Sequence, residues 1–318
     1  MKLHQLRDVI AVADHGSLRA AARQLNIAQS AITKSVRLLE KELDVPLFER
    51  HKRGAILTPM GVLFVQRARA ASNELARAQE EIGQHRESGA GRVAVSLSTV
   101  PHLALLPSVI DAFSRRYPDV RLTILEALGF HSTETQMRSG AVDTYVGVAP
   151  AAKLSNEFLV EPLFENQRYI IGRVGHPLSK AKSLGDLVDA RWIVSSTKTA
   201  ETSFAAMFRK HHFKVPARVT LAQSILGQLV LLASSEMLML APKQALEYPP
   251  YAGRLTRIPV REEIDAPTIV MVRRAALPLT PAAEYFCDLI RRASVQIQLA
   301  SGRERSSAKR IMEPALRC

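Results

Sequence analysis

The chain has 318 residues, 47% of them apolar, enough hydrophobic material for two or three compact units. Its formal net charge of +13 favours a polyanionic partner, while 5% aromatics and a single tryptophan, Trp192, argue against a stacking platform for single-stranded nucleic acid. Two cysteines, Cys287 and Cys318, make neither a disulfide framework nor a metal-ligand spacing. No run of about 18 apolar residues is present to span a membrane, and Met1 leads into a charged amphipathic segment without a signal-peptide pattern. A cytoplasmic protein is expected.

Residues 3–13 place Leu3, Leu6, Val9, Ile10 and Ala13 on one helical face, with Gly16 to end that helix and Ser17 to cap the next. Leu18, Ala21, Ala22 and Leu25 form the apolar face of a second helix. After a break at Asn26-Ile27, Ile32, Val36 and Leu39 form that of a third. The opposite face of the third helix carries Gln29, Ser30, Thr33, Lys34 and Arg37, a continuous stripe of amide, hydroxyl and cationic donors without a carboxylate. Such a helix suits a DNA major groove, although the pattern also fits an amphipathic hairpin with a solvated face, and Arg37 could equally pair with Glu40. Val45, Leu47 and Phe48 then anchor a β-hairpin reversing at Gly54, with Arg50, Lys52 and Arg53 near its tip.

Thr58-Pro59 is a helix start, and no proline follows until well past Glu87. Phe64, Ala68, Ala71, Leu75, Ala78 and Ile82 make a heptad seam of mostly small residues, which reads as a linker and dimerisation helix. Ser88-Gly89-Ala90-Gly91 is a hinge. Beyond it strands and helices alternate, predicting a mostly parallel sheet with helices on both faces: strands at 92–97, 120–126, 143–148, 169–172, 192–195, 217–221 and 268–272, helices at 101–116, 132–139, 199–212, 225–234 and 281–292. From Ser301 the chain is rich in Arg, Ser and Lys and is expected to be a loose basic tail.

The segment from Leu18 to Gly61 closely resembles the LysR-type transcriptional regulators. It carries Ala20-Ala21-Ala22, Gln29 leading a recognition helix, Leu39-Glu40, Glu42-Leu43, Pro46-Leu47-Phe48, Arg50 and Leu57-Thr58 with Gly61. The stretch from Arg273 to Phe286 is similar to the branch containing regulators of aromatic sulfonate degradation and of sugar-binding-protein genes. Two departures stand out. Ala28 and Ser30 occupy positions where the family usually has serine and proline, which removes a helix cap. Ser235 and Met237 stand where members often carry a GxG turn ahead of Ala241-Pro242.

The resemblance implies an α+β multidomain fold. It comprises a winged helix-turn-helix domain (1–58), a linker and dimerisation helix (59–88), a two-lobed α/β effector domain like periplasmic binding proteins (89–300) and a basic tail (301–318). Lobe I would span 91–161 and 268–300 and lobe II 162–267, with crossovers near Glu161-Pro162 and Asp265-Ala266-Pro267. It implies double-stranded DNA as partner, a dimer through the linker helix and a tetramer overall, and contact with RNA polymerase. Gln29, Thr33 and Lys34 would reach base edges, Ser30 and Arg37 would lie nearer the backbone, and Arg50 and Arg53 would contact phosphate or enter the minor groove.

Hydroxyls and free N–H groups at helix starts suit an anion between the lobes, although serine and threonine are also default caps. The candidate effector residues are Ser98, Thr99, Val100, Ser196, Thr197 and Gln223, with Phe130 and Val148 as apolar walls, for a small organic anion such as an aromatic carboxylate or sulfonate. No metal or cofactor site is expected. An enzyme reading finds no phosphate-binding glycine loop, nucleophile elbow or metal-ligand spacing, and a transport solute-binding protein is opposed by the helix-turn-helix.

Overall fold

The computed structural model describes residues 1–51, 54–85, 90–196 and 198–312, and within these not the side chains of Arg50, His85, Lys198, Thr199 and residues 300–312. The chain forms two compact units. One comprises residues 1–93, 119–121 and 134–143, the other residues 94–118, 122–133 and 144 onward.

The first unit opens with α1 (Leu3–His15), α2 (Leu18–Gln24) and α3 (Gln29–Leu43), followed by the hairpin β1 (Phe48–His51) and β2 (Gly54–Leu57) and the long α4 (Pro59–His85). Val9, Ala21, Ala22, Ile32, Val36 and Leu39 are buried together in one core, as the helical spacing predicts, and Val12 and Leu47 join them, whereas Leu3, expected on the same face of α1 as Val9, is 65% exposed. The turns follow their residues: Gly16 takes the left-handed conformation after α1, and the Ser17 hydroxyl accepts from the Ala20 N–H at the start of α2. Gly54 is required twice over. Its φ is +147°, and an added Cβ would lie 2.3 Å from the Gly16 carbonyl, whose oxygen accepts from the Ala55 N–H.

The seam on α4 divides. Phe64 and Ala68 face their own chain, Phe64 against the three-helix core, while Leu75 and Ile82 are exposed together with Ala71 and Ala78. Further along, α4 is bolted to the turn 139–143. Asn73 Nδ2 donates to the Ser139 carbonyl at 2.6 Å, and Arg77 Nη2 donates to the Gly140 carbonyl at 3.0 Å and pairs with Asp143 Oδ1 at 2.5 Å. Arg77 and Asp143 are 5% and 4% exposed, so this is a buried ion pair. Nearby Arg92 pairs with Glu80, whose carboxyl is pushed up by burial despite that cation.

The rest of the chain begins with β3 (Gly91–Leu97), within which the chain passes from one unit to the other, then α5 (Thr99–Ala104), α6 (Leu106–Arg116), β4 (Val120–Glu126), α7 (Phe130–Arg138), β5 (Thr144–Val148) and β6 (Phe158–Glu165). It continues with β7 (Arg168–Arg173), β8 (Arg191–Ser195), α8 (Lys198–Lys210), β9 (Val219–Ala222), α9 (Ile225–Ser234), β10 (Met237–Pro242), α10 (Gln244–Glu247), β11 (Leu255–Arg257), β12 (Thr268–Arg274) and α11 (Pro281–Met312). Two five-stranded sheets result, in the orders β4-β3-β5-β12-β6 and β11-β7-β10-β8-β9, and each marks a lobe.

Several sequence expectations change. The sheets are mixed rather than mostly parallel: β3 pairs parallel with β5, and β8 with β9 and β10, but β12 runs antiparallel to β5 and β6, and β7 to β10 and β11. The first crossover lies at Asn166-Gln167 rather than Glu161-Pro162. β6 stays paired with β12 up to Glu165, and it tolerates Pro162 because it is an edge strand with an irregular register there. The predicted helix 101–116 is two helices broken at Leu105, where Pro107 starts the second. The loose tail is instead helical: α11 continues through Met312, since no proline interrupts the chain from Ala282 to Glu313. The hinge residues Ser88 and Gly89, the wing-tip residues Lys52 and Arg53, Thr197 and residues 313–318 lie outside the described residues.

The buried pair at the α4 turn gives a measurable expectation. Asp143→Ala leaves the buried Arg77 guanidinium only the longer pair with Glu74, at 3.8 Å, and should lower unfolding stability by about 3–5 kcal/mol. Chemical denaturation monitored by circular dichroism measures this; a loss below about 1 kcal/mol, the size of a surface pair, contradicts it.

Candidate DNA interface and interlobe site

Two motifs fix α3 against the wing. Leu47 N–H and Phe48 N–H both donate to Glu40 Oε1, at 2.9 and 3.2 Å. Thr58 Oγ1 donates to the Pro46 carbonyl at 2.7 Å and accepts from the Gly61 N–H at 2.9 Å. Gly61 must be glycine at this crossing, because an added Cβ would lie 2.0 Å from the Leu47 carbonyl oxygen. The Leu-Glu and Leu-Thr-x-x-Gly patterns are therefore the fastenings of the hairpin.

This fastening clears the exposed face of α3. Glu40 is turned towards the wing, and Glu42 pairs with the N-terminal ammonium of Met1. Gln29, Ser30, Lys34 and Arg37 are exposed and Thr33 half-buried, and all five line one open surface concavity with Leu38 and Lys41. Arg37 makes no ion pair with Glu40 among the described residues. Thr33 Oγ1 donates to the Gln29 carbonyl at 2.7 Å, so its hydroxyl proton is held by the helix and its oxygen and methyl face outward. Lys41 was missed as a face residue, although it continues the i, i+4 row Gln29, Thr33, Arg37. The Arg50 backbone pairs with Ala55 in the hairpin, its side chain and Arg53 lying outside the description.

The second site lies where strands end in the two lobes. Ser98 begins α5 one residue beyond β3, 8% exposed, and its hydroxyl makes no hydrogen bond among the described residues. Its oxygen lies beside Gly147, where an added Cβ would be 2.8 Å from Ser98 Oγ and 2.4 Å from Tyr145 Oη. Tyr145 donates to the Val148 carbonyl, and burial pushes its phenol up, so it stays neutral. In lobe II, Ser196 follows β8 and its buried hydroxyl is likewise without a hydrogen bond among the described residues. Gln223 is exposed just past β9, Thr99 is half-buried and Val148 is 38% exposed at the end of β5.

Phe130 and Val100 depart from expectation. The Phe130 ring is buried edge-on against Tyr145 and Phe158, at centroid distances of 5.6 and 5.2 Å, and is a core residue rather than a cleft wall. Val100 is also buried. Its apolar character marked both a wall and a core position, and sequence could not separate the two. Where the usual GxG turn is replaced, Ser235 makes the connection: its hydroxyl donates to the Leu231 carbonyl at 2.6 Å and accepts from the Met237 N–H.

A winged helix-turn-helix with an open donor face, joined by a long helix to a two-lobed α/β domain, defines a ligand-responsive DNA-binding protein. Residues 3–62 match the model for the bacterial regulatory helix-turn-helix protein of the lysR family, and residues 86–294 match that for the LysR substrate binding domain. The chain belongs to the LysR family of transcriptional regulators, which are not enzymes. It is 26% identical over 298 residues to the HTH-type transcriptional regulator GbpR of Azospirillum brasilense, covering 92% of this chain and 87% of that one. Its fold is that of a full-length OxyR variant from Pseudomonas aeruginosa, with TM-score 0.68 and 24% identity over 92% of this chain and 95% of that one. It is also that of full-length CbnR complexed with its target DNA, with TM-score 0.51 and 19% identity over 92% and 100%.

The recognition helix lacks its side-chain cap: Ala28 makes no cap hydrogen bond to the first turn of α3. Ala28→Ser should stabilise the protein by about 0.5–2 kcal/mol, visible as a raised denaturation midpoint and slower amide exchange in the first turn of α3. An unchanged midpoint would show that the first turn finds its stability elsewhere.

Proposed function

We propose that this regulator reads operator DNA with Gln29, Thr33 and Lys34 at base edges, with Ser30 and Arg37 at the backbone and the wing residues Arg50 and Arg53 at phosphate or in the minor groove. The observation that carries this reading is the carboxylate-free donor face of α3, with both of that helix's glutamates engaged elsewhere. The working division is residues 1–58 for DNA, 59–88 for the linker and 89–300 for the effector. The exposed Leu75 and Ile82 of α4 support dimerisation, and the exposed Leu221, Leu226 and Val230 on β9 and α9 support a second interface, hence a tetramer. Cytoplasmic action and contact with RNA polymerase complete the reading.

The effector is a small organic anion held between the lobes by Ser98 and Ser196, with Thr99, Thr197, Gln223 and Val148 around it. Two buried, unpartnered hydroxyls at strand ends support this, since an unsatisfied buried polar group is costly and becomes favourable when a ligand satisfies it.

Fluorescence anisotropy on the protein's own upstream DNA tests the DNA reading. Arg37→Ala should lower the slope of log affinity against log salt by about 0.9, the value for one phosphate contact. Lys34→Ala should lose about 1–3 kcal/mol on that DNA. Unchanged affinity and slope in both variants would remove α3 from the interface. Calorimetry with small carboxylates and sulfonates tests the effector, and heat from none of them contradicts an anion.

A further inference from the structure

Two more buried polar atoms without a hydrogen bond lie at the end of the lobe II sheet that carries Ser196. Asn166 is 2% exposed with Nδ2 unpartnered, and Gln244 is 8% exposed with Oε1 unpartnered. The strand registers align them. The first residue of β7, Arg168, pairs with the last of β10, Pro242; β10 runs parallel to β8 with Met239 opposite Ile193; and Ser195 of β8 pairs with Ala222 of β9. Carried forward, these registers set Ser196 and Gln223 level with Pro242 and Arg168, and Asn166 and Gln244 lie two residues beyond that level. Asn166 also joins the two crossovers, its N–H donating to the Pro267 carbonyl at 3.0 Å. From lobe I, Leu103 of α5, the helix that Ser98 begins, packs into the lobe II cluster containing Ala245, the neighbour of Gln244.

Native interiors hold few unsatisfied polar groups, and each costs free energy in the ligand-free protein. Here the Ser98, Ser196, Asn166 and Gln244 atoms lie at or just beyond strand ends, where open α/β sheets bind ligands. Their chemistry differs: the Asn166 amide N–H is a donor and the Gln244 carbonyl an acceptor. Resting on the interlobe reading above, we propose that Asn166 and Gln244 determine effector specificity. Asn166 donates to an anionic oxygen, and Gln244 accepts from an N–H or O–H on the same molecule. The effector is thus a hydroxy- or amino-substituted organic acid rather than a plain carboxylate or sulfonate. A site built to accept such a hydrogen rejects the analogue lacking it, because the buried carbonyl is then left unpaired.

The test is calorimetry of the full chain with matched sets: propionate, lactate and alanine; succinate, malate and aspartate; benzoate, salicylate and anthranilate. Within the set that fits, the donor-bearing members should bind at least about tenfold tighter than the plain acid, and Gln244→Met should bring that ratio below about twofold. Asn166→Asp should weaken every member of the set. A ratio that survives Gln244→Met, a preference for the plain acid, or unchanged binding by Asn166→Asp overturns the proposal. Ser98→Ala separates the two levels. If it weakens all members while the ratio survives in Gln244→Met, the specificity assignment alone fails. If it changes nothing, or if no member gives heat, the interlobe reading fails with it.

A second readout needs no ligand. Removing an unsatisfied carbonyl should leave the melting temperature of Gln244→Met equal to the wild type or raised by about 2–4 °C, whereas a fall of that size marks Gln244 as a structural residue and overturns the proposal.

Discussion

The Glu40 carboxylate carries two requirements of the DNA-binding unit at once. It accepts the amides of Leu47 and Phe48 where the chain leaves α3 and enters the hairpin, and so it sets the wing's position relative to the helix. The same bonds draw the carboxylate off the face where Gln29, Lys34 and Arg37 stand, so that face carries amide, hydroxyl and cationic groups and no carboxylate. Leu39, the preceding residue, is fully buried in the core, so one dipeptide fastens α3 inward and the wing to it. Gly61 completes the arrangement by allowing α4 to start against the Leu47 carbonyl.

Legibility in the sequence followed how local each determinant is. The three helices, the Gly16 and Ser17 turn, the missing cap at Ala28 and the donor stripe depend on residues within a few positions of one another, and they stand where periodicity and capping chemistry put them. The seam on α4 was half legible: spacing gave the stripe but not that Phe64 and Ala68 are claimed by their own chain. Strand direction was not legible, since a chain that returns through a second crossover adds antiparallel strands such as β12 and β7 to otherwise parallel sheets. The crossover moved to Asn166 for the same reason, β6 being held to Glu165 by a partner 103 positions further on at Thr268.

Ser98 and Ser196 were singled out because hydroxyls at helix starts are a local signal, and their burial without a hydrogen bond is a property that spacing does not show; Phe130, beside a helix start, is packed into the core, a place for which an aromatic is as well suited as for a cleft wall. Asn166 and Gln244 carry no local signal. Their interest comes from register, which aligns four strand ends, and from burial without a partner. Buried polar atoms without a partner at strand ends, beside closely apolar clusters, are what the proposed ligand would satisfy.

The central claim, that α3 reads bases directly, is tested most directly by selecting binding sites from random duplex DNA with the wild type and with Gln29→Ala. The account predicts that the variant still binds a related motif but loses its preference at one base-pair position in each half-site, a change of about 1–3 kcal/mol in discrimination there. An identical motif from both proteins, with affinity alone reduced, would contradict it.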